Sequence, residues 1–473
     1  MAMEAPADVR ASLHRFGVLP AWLAAAAEPE RIKAALVRHE PGLTLGGVTV
    51  RRLRLNRQDG TWTGRYQCTV TEPDGATRAL ELLGTLHPPT TGPAPEDQAA
   101  TRLGTPGWRR VLPELGVELV DAPAEHATLP ALPALTDPQR ARVLLQDVLA
   151  AAAPAGAGLR LAGCTPHVVR SKPGNRCTIL YDLLYPPDAD GPRLVVAKAY
   201  RGDKGRNAWD GMRALWASPL AAGGVVAIAE PLAYVPALGL LVQGPVGEQQ
   251  TLKQLIRAAV TAGRPDALAA LDSAMDKTAA GLAALHTCGV SYGEPVTFAD
   301  WLADLRGTLG TLTTAVPELS DAATALLAAV GQLATRQPPD PAGPSHGSFR
   351  PNQVLLDGDR IAFIDFDDFC QAEPAMDLAV FLASVKGVGL VDARGTTIDR
   401  AAVARWLLQL ERLCARFLAR YQGLAPVSAA RVALWEALVL AGEVVETWTK
   451  VEPAKVLPAM LLLERHLAVS GLA

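Results

Sequence analysis

Two hydrophobic patterns divide this chain into a sheet-rich first half and a helical remainder. In the first half, β-branched and aromatic residues alternate with polar ones, as in residues 65–71 and 177–181, and this period of two predicts strands. Near the end, apolar residues recur every three or four positions from Val403 onward and over residues 429–451 and 454–467, which predicts helices. We therefore expect an α+β protein.

The sheet-rich part contains two similar segments. Residues 42–54 align without a gap with residues 158–170, and six of the thirteen aligned positions are identical. Each copy is predicted to contain a helix, two or three antiparallel strands and a final hairpin. Residues 1–135 would then be a degenerate copy of residues 136–245. Chance similarity in a chain rich in alanine, leucine and glycine is the alternative.

Composition and charge limit the classes of protein to which the chain can belong. The chain has 473 residues, of which 49% are hydrophobic and 20% are charged, so it can bury a large core. A net charge of -3 argues against a dedicated binder of nucleic acid or of an anionic membrane. The first residues lack the basic and apolar regions of a signal peptide, and no apolar run is long enough for a membrane span. We therefore expect a cytoplasmic protein.

One lysine stands inside an apolar strand. Lys198 lies in the run Leu-Val-Val-Ala-Lys-Ala-Tyr of residues 194–200, whereas the corresponding residues 80–86 of the first copy include no lysine. Burying an ammonium group costs free energy unless an anion compensates it, so we expect Lys198 to meet an anionic partner. The alternative is a lysine near a strand end whose head group reaches solvent.

A polar loop and an acidic segment flank a predicted hairpin. The loop is residues 346–353 (His-Gly-Ser-Phe-Arg-Pro-Asn-Gln), and the acidic segment 365–368 (Asp-Phe-Asp-Asp) follows the apolar residues 361–364. The turn at residues 357–359 brings the loop and the acidic segment together. Amide and carboxylate oxygens that converge in this way suit Mg²⁺ and the phosphates that it bridges.

These motifs resemble those of the aminoglycoside phosphotransferase and choline kinase-like family, small-molecule relatives of the protein kinases. The family's catalytic loop H-G-D-x-x-x-x-N is similar to residues 346–353, its I-D-[FW]-[DE] motif to residues 364–367, and its P-x-x-D-L-A segment to residues 374–379. His286 on the preceding helix and Lys198 as the strand lysine occur in the family's order. The resemblance covers roughly residues 140–450.

The resemblance implies a bilobal protein-kinase-like fold. Residues 136–245 would form the N-lobe around an antiparallel sheet, and residues 246–473 would form the helical C-lobe. Residues 1–135 would precede them as the degenerate N-lobe-like module.

The resemblance also implies roles for individual residues. Lys198 would hold the phosphates of ATP or GTP, and Asp365 would bind the Mg²⁺ that bridges them. Gln353 stands in the place of the family's asparagine and is the candidate second metal ligand. The remaining candidates are Gly174 and Asn175 in the loop over the phosphates, Gln243 in the hinge beside the nucleotide base, and Asp210 as the partner of Lys198.

Ser348 stands where the family has its catalytic aspartate. A serine hydroxyl cannot act as an equivalent base, and a general base typically contributes ~10²- to 10⁴-fold to the rate. Asp367 is the candidate replacement base, although it also fits the family's acidic motif. Arg350 adds a positive charge to the loop and could contact a phosphate or an acid. A slow enzyme, a rerouted mechanism and a pseudokinase all stay open.

Three functions are therefore considered. The first is phosphoryl transfer from ATP or GTP, with Mg²⁺, to a hydroxyl of a small molecule or peptide. The second is a pseudokinase-like scaffold that binds nucleotide, a peptide or a protein partner with little or no transfer. A sugar kinase of the maltokinase type fits less well, because the chain lacks that family's acidic-glycine segment after Asp365. Glu443 and Glu446, one helical turn apart, could receive an amine or simply face solvent.

Overall fold

The computed structural model describes most of the chain. The described residues are 14–40, 44–71, 75–87, 103, 108–121, 129–152, 160–172, 175–189, 191–335, 337–390 and 400–470. Within them, two antiparallel sheets come first and a helical region follows. None of the helices in these ranges is both long and apolar enough to span a membrane.

The first module is an antiparallel sheet preceded by two helices. Its elements are α1 (Ala21–Ala26), α2 (Pro29–His39), β1 (Thr44–Leu55), β2 (Trp62–Thr71), β3 (Thr77–Leu86), β4 (Arg109–Leu112) and β5 (Val117–Asp121). The five strands lie in the order β1-β2-β3-β5-β4. Successive side chains of a strand point to opposite faces, so Trp62, Tyr66 and Cys68 of β2 are buried together on one face.

The second module repeats this strand order. Its elements are α3 (Leu132–Leu135), α4 (Pro138–Ala152), β6 (Gly163–Lys172), β7 (Arg176–Leu184), β8 (Leu194–Tyr200), α5 (Lys204–Trp216), α6 (Pro219–Ala222), β9 (Ala227–Ile228), β10 (Pro231–Val235) and β11 (Leu240–Gln243). The sheet has the order β6-β7-β8-β11-β10, so the last two strands exchange places as they do in the first module. The duplication itself stays a prediction, as do the boundaries at residues 135 and 245.

The rest of the chain is mostly helical. Its elements are β12 (Gln250–Thr251), α7 (Leu252–Ala262), α8 (Pro265–His286), α9 (Phe298–Ala315), α10 (Ser320–Ala334), β13 (Gly343–Ser345), β14 (Val354–Asp357), β15 (Arg360–Phe363), β16 (Cys370–Ala372), α11 (Pro374–Lys386), α12 (Arg400–Gln422), α13 (Ala429–Thr449) and α14 (Pro453–Val469). β14 and β15 form a hairpin within the sheet β12-β14-β15-β9, and β13 pairs with β16. This α+β architecture confirms the expected fold class.

The hydrophobic core shows how the three parts pack. Buried residues of the second sheet, such as Ile179 and Tyr181, form a cluster of their own with α4. Buried residues of the first sheet instead belong to the same cluster as the helical region. At this junction Trp448 Nε1 donates a hydrogen bond to the carbonyl oxygen of Phe16 at 2.9 Å. The first module therefore packs on the helical region.

Candidate active site

The backbone around Asp365 is held in a strained conformation. Asp365 has a φ of 74°, in the left-handed region that residues with a side chain rarely adopt. The neighbouring Ile364 fixes it, because its N–H donates to the Gln353 carbonyl at 3.1 Å and its carbonyl accepts from His346 Nε2 at 2.9 Å. Strain that the surroundings maintain in this way is frequent at functional sites. This backbone conformation turns the Asp365 carboxylate toward the second sheet.

Lys198 reaches this carboxylate from the other side of the cleft. The strand β8 lies between β7 and β11, where Lys198 pairs with Thr178 and Leu241. Its ammonium group donates to Asp365 Oδ1 at 2.7 Å and to Asp367 Oδ1 at 3.2 Å. The side chain is only 9% exposed. The predicted anionic partners of Lys198 are thus two carboxylates that follow it by more than 160 residues.

Arg176 is a second cation at the same carboxylates, and the sequence did not single it out. It is the first residue of β7, and its Nη1 lies 3.0 Å from Asp365 Oδ1 and also contacts Asp367. The side chain is 13% exposed. Tyr200 completes the cluster, because its hydroxyl donates to Asp367 Oδ1 at 2.7 Å. We call Arg176, Lys198, Asp365 and Asp367 the interlobe charge cluster.

The contacts within and beside the interlobe charge cluster shift the pKa values of Asp365 and Tyr200. Burial alone would raise the pKa of Asp365, but the adjacent Lys198 and Arg176 lower it far below the ordinary value of a carboxyl group. Burial raises the pKa of Tyr200, and the neighbouring Asp367 raises it further. At neutral pH Asp365 is therefore ionised and the Tyr200 phenol is neutral.

The catalytic-loop motif is anchored by a buried aspartate. Asp377 accepts hydrogen bonds from the backbone N–H groups of His346 at 2.6 Å and Gly347 at 3.0 Å. It also accepts from His286 Nε2 at 3.1 Å, and the Tyr421 hydroxyl donates to His286 Nδ1 at 2.7 Å. Through these contacts His286 and Asp377 support the loop. They hold the loop against the acidic segment.

Glycine is required at the second position of this loop. Gly347 has a φ of 84°, and a Cβ atom there would lie 1.9 Å from the carbonyl oxygen of Asp368. This close approach brings the next residue, Ser348, beside the acidic segment. Ser348 is half-buried, and its hydroxyl makes no hydrogen bond to any other residue that the structure describes.

The sequence predicts Gln353 as a metal ligand, and in the structure its amide oxygen already has a partner. Gln353 is buried, and its Oε1 accepts a hydrogen bond from the Arg350 backbone N–H at 2.8 Å. A carbonyl oxygen has a second lone pair, so it can still face a cation. The role of Gln353 as a metal ligand stays a prediction.

Asp210 is not the partner of Lys198 in the structure. It lies on α5 near the Tyr292 hydroxyl, whereas Lys198 contacts Asp365 and Asp367. The helix contacts the acidic segment through another residue, because Asn207 Nδ2 donates to the carbonyls of Asp367 at 3.2 Å and Phe369 at 2.9 Å. An amide can bridge two backbone carbonyls without adding a third negative charge to the cluster.

The remaining nucleotide-site candidates lie along the second sheet. Gly174 lies outside the described residues. Asn175 sits in the turn before β7, where its N–H donates to the Lys172 carbonyl at 3.0 Å and its carbonyl accepts from Arg201 at 2.8 Å. Gln243 is buried at the end of β11, paired with Val196. Their roles at a nucleotide stay predictions.

A cavity of about 560 Å³ opens beside the catalytic loop. Arg350 lines it from the loop, and Glu443 and Glu446 line it from α13. Trp301 of α9 adds an aromatic wall, and Arg54 shows that β1 of the first module reaches the cavity as well. Its volume is typical of small-molecule sites.

The carboxylates of the cleft have the chemistry that Mg²⁺ requires when it binds together with phosphates. Within the described ranges, no group of three or more His, Cys, Asp and Glu side chains could hold a metal ion. Mg²⁺ is usually bound by one or two carboxylates together with substrate phosphates. Asp365 and Asp367 meet that requirement.

Comparison with protein families identifies the segment that carries these motifs. Residues 212–416 match the family APH, described as "Phosphotransferase enzyme family". The similarity to the phosphotransferase family covers less than half of the chain. The predicted resemblance is thereby confirmed for the part that contains the catalytic loop and Asp365. Lys198 and Arg176 lie before the matched segment.

Solved structures resemble this chain only distantly. No curated protein matches it. A glucosamine kinase solved with glucosamine, ADP and inorganic phosphate is 18% identical with a TM-score of 0.46, and the match covers 95% of this chain and 99% of that one. A choline kinase from Cryptosporidium parvum is 9% identical with a TM-score of 0.47, covering 70% and 97%. A thermostable mutant of the aminoglycoside phosphotransferase APH(4)-Ia is 15% identical with a TM-score of 0.43, covering 64% and 94%.

Proposed function

We propose that this chain is a Mg²⁺-dependent phosphotransferase that transfers a phosphoryl group from ATP or GTP to a hydroxyl of a small molecule. The observation that carries the proposal is the meeting of Lys198 and Asp365 at 2.7 Å across the cleft between the second sheet and the helical region. A buried cation opposite a partly buried carboxylate can grip the phosphates and their metal ion. The family match supports the same chemistry.

Each residue of the cleft has a part in this proposal. Lys198 binds the phosphate tail, and Asp365, with Gln353 beside it, holds Mg²⁺. When bound, Mg²⁺ would neutralise the negative charge that develops on the phosphates. Gln243 and the end of β11 border the place for the nucleotide base.

The attacking hydroxyl has no evident base in this arrangement. Asp367 contacts Lys198, Arg176 and Tyr200, so both of its carboxylate oxygens already have partners. Ser348 cannot take that role at neutral pH. Transfer would then depend on positioning and electrostatics, which supply most of the catalysis of phosphoryl transfer.

The cavity beside the loop is the proposed acceptor site. It suits an amine-bearing small molecule, because Glu443 and Glu446 supply negative charge and Trp301 supplies an aromatic face. A cavity of about 560 Å³ would enclose most of a small molecule but little of an extended peptide. We therefore favour a small molecule over a peptide.

The proposal is tested by replacing the strand lysine. We expect Lys198→Met to weaken Mg²⁺-dependent binding of labelled ATP or GTP by about 10²-fold, because charge-assisted contacts to the phosphates are lost. Equilibrium binding of the labelled nucleotide measures this effect. Lys204→Met is the matched control, since Lys204 is exposed at the start of α5. Equal binding by wild type and Lys198→Met would reject the site.

A pseudokinase-like scaffold is the second candidate function. Ser348 in place of the catalytic aspartate favours it. Such a protein would bind nucleotide through Lys198 but show no phosphoryl transfer to any acceptor. Nucleotide binding without turnover would therefore distinguish it from the first candidate.

The raised pKa of Glu443 predicts how the free energy of unfolding depends on pH. It lies half-buried on the cavity wall, and no ion pair joins it to another described residue. Burial raises its pKa, although the nearby Arg350 opposes the shift. The folded state then binds this proton more tightly than the unfolded state, so stability is lost as pH rises from the ordinary glutamate pKa through the raised one.

Glu443→Gln should abolish that loss. We expect the variant to match wild type at acidic pH and to exceed it above the raised pKa by on the order of 1 kcal/mol. Urea unfolding at a series of pH values measures the difference. Glu318→Gln, at an exposed position, should show no such trend. A variant less stable than wild type at neutral pH would show that the carboxylate is paired in the fold.

A further inference from the structure

Arg176 contacts the two carboxylates, Asp365 and Asp367, that a metal ion would need. Its Nη1 lies 3.0 Å from Asp365 Oδ1 and also contacts Asp367 Oδ2. Lys198 contacts both carboxylates as well, through Asp365 Oδ1 and Asp367 Oδ1. Arg176 therefore stands between the two side chains best suited to hold Mg²⁺.

The charges of this cluster balance without a ligand. The two cations compensate the two carboxylates, and all four side chains are less than one quarter exposed, at 13%, 9%, 23% and 16%. A divalent cation bound to the carboxylates alone would leave two positive charges in excess in a partly desolvated place, where repulsion is strong. Phosphates that arrive with the metal ion would supply the missing negative charge.

We propose that Arg176 is a phosphate-binding residue that occupies Asp365 and Asp367 in the free protein and moves to the nucleotide phosphates when Mg²⁺ and nucleotide bind together. This inference rests on the proposed function. It adds a residue that lies outside the matched family segment. It also predicts that the free protein binds divalent metal poorly in the absence of nucleotide.

The position of Arg176 suits this exchange. It begins β7 opposite Lys172, at the end of the hairpin that the resemblance places over the phosphates, and on its other side it pairs with Tyr200 of β8. Both neighbours fix its backbone, while the long side chain can redirect its guanidinium group by rotamer changes. A planar guanidinium group can serve carboxylate and phosphate equally well.

The surroundings of Arg176 favour an anion. Burial lowers the pKa of Lys172, and the nearby Arg176 and Arg170 lower it further. These three cations crowd one end of the hairpin, and only Arg176 forms an ion pair with another described residue. A phosphate tail at this end would relieve the repulsion among them.

The proposal predicts opposite effects of one substitution. In Arg176→Met the carboxylates lose one competing cation, so Mn²⁺ alone should bind about tenfold more tightly than to wild type. Mg²⁺ with nucleotide should bind roughly 10- to 100-fold more weakly, because a charge-assisted contact to phosphate is lost. Arg176→Lys should fall between wild type and Arg176→Met in both measurements.

The experiment measures the two affinities separately. Mn²⁺ is titrated into the full chain without nucleotide and the free ion is followed by electron paramagnetic resonance. Labelled nucleotide binding is then measured with Mg²⁺ present. Lys204→Met is the control, because Lys204 is an exposed cation at the start of α5 and lies outside the hairpin. Thermal unfolding verifies that each variant is folded.

The outcomes separate this inference from the proposed function. Tighter Mn²⁺ binding together with weaker nucleotide binding in Arg176→Met supports the exchange. If wild type binds nucleotide and Arg176→Met binds it equally well, or if both affinities fall, the exchange is wrong while the phosphotransferase proposal stands. If wild type binds no nucleotide, the phosphotransferase proposal fails and the exchange fails with it.

Discussion

Asp365→Ala is expected to abolish Mg²⁺-dependent nucleotide binding and to lower phosphoryl transfer by about 10³-fold or more. A metal ion that polarises a phosphoryl group contributes several kcal/mol, and about 4 kcal/mol corresponds to roughly 10³-fold in rate. The substitution also leaves Lys198 and Arg176 with Asp367 as their one carboxylate in the cluster. Equilibrium binding and single-turnover transfer measure the two losses.

Two further variants show whether the effect belongs to this carboxylate. Asp365→Asn keeps the shape of the side chain and should lose nearly as much, because its charge is absent. Asp368→Ala, three residues later and exposed, should bind nucleotide like wild type. Normal metal-dependent binding by Asp365→Ala would show that the metal ion, if used, is held elsewhere.

Much of the fold is predictable because its elements have strong periodicity. The apolar spacing over residues 429–451 and 454–467 corresponds to α13 (Ala429–Thr449) and α14 (Pro453–Val469). The alternation around Tyr66 and Tyr181 corresponds to β2 and β7, where every second side chain is buried. These faces are set by local sequence. The packing of the first module on the helical region is not, because it depends on contacts between residues more than 400 positions apart, such as Phe16 and Trp448.

Residues of the candidate site can be predicted from the sequence where they belong to short, recognisable motifs. Lys198 is conspicuous as a cation in an apolar strand, and Asp365 directly follows the apolar residues 361–364, so both could be found. The structure brings their charged groups to 2.7 Å. Asp367, proposed as a base, instead contacts Lys198, Arg176 and Tyr200, since its neighbours are fixed by tertiary structure.

Arg176, Tyr200 and Asn207 were missed for a common reason. An arginine at a strand start, a tyrosine at a strand end and an asparagine on a helix are ordinary residues in those positions. Only the approach of the second sheet to the acidic segment gives them a role. Of these three residues, only Arg176 could have been found from the sequence. Two cations flank a turn in the expected phosphate loop, in the run Ser-Lys-Pro-Gly-Asn-Arg of residues 171–176.

Ser348→Asp is expected to raise the rate of phosphoryl transfer by about 10²- to 10⁴-fold, the usual contribution of a general base. The Ser348 hydroxyl makes no hydrogen bond within the described part of the chain, so the substitution breaks none there. The new carboxylate would stand two residues from Arg350, whose positive charge favours its ionised form. Its role would be to accept the proton of the attacking hydroxyl.

A control variant shows whether a gain in rate comes from the basic carboxylate of Ser348→Asp or from its larger side chain. Ser348→Asn has the shape of the aspartate without a basic oxygen, so it should turn over no faster than wild type. The rate is measured with Mg²⁺ and labelled nucleotide. The assay follows transfer of the labelled phosphoryl group to water and to a panel of amino sugars and amino alcohols. A large gain with Ser348→Asp alone would show that the cleft positions nucleotide and acceptor correctly and lacks a base. A fall would show that the serine hydroxyl belongs to a working site, because aspartate would then displace a group on which transfer depends.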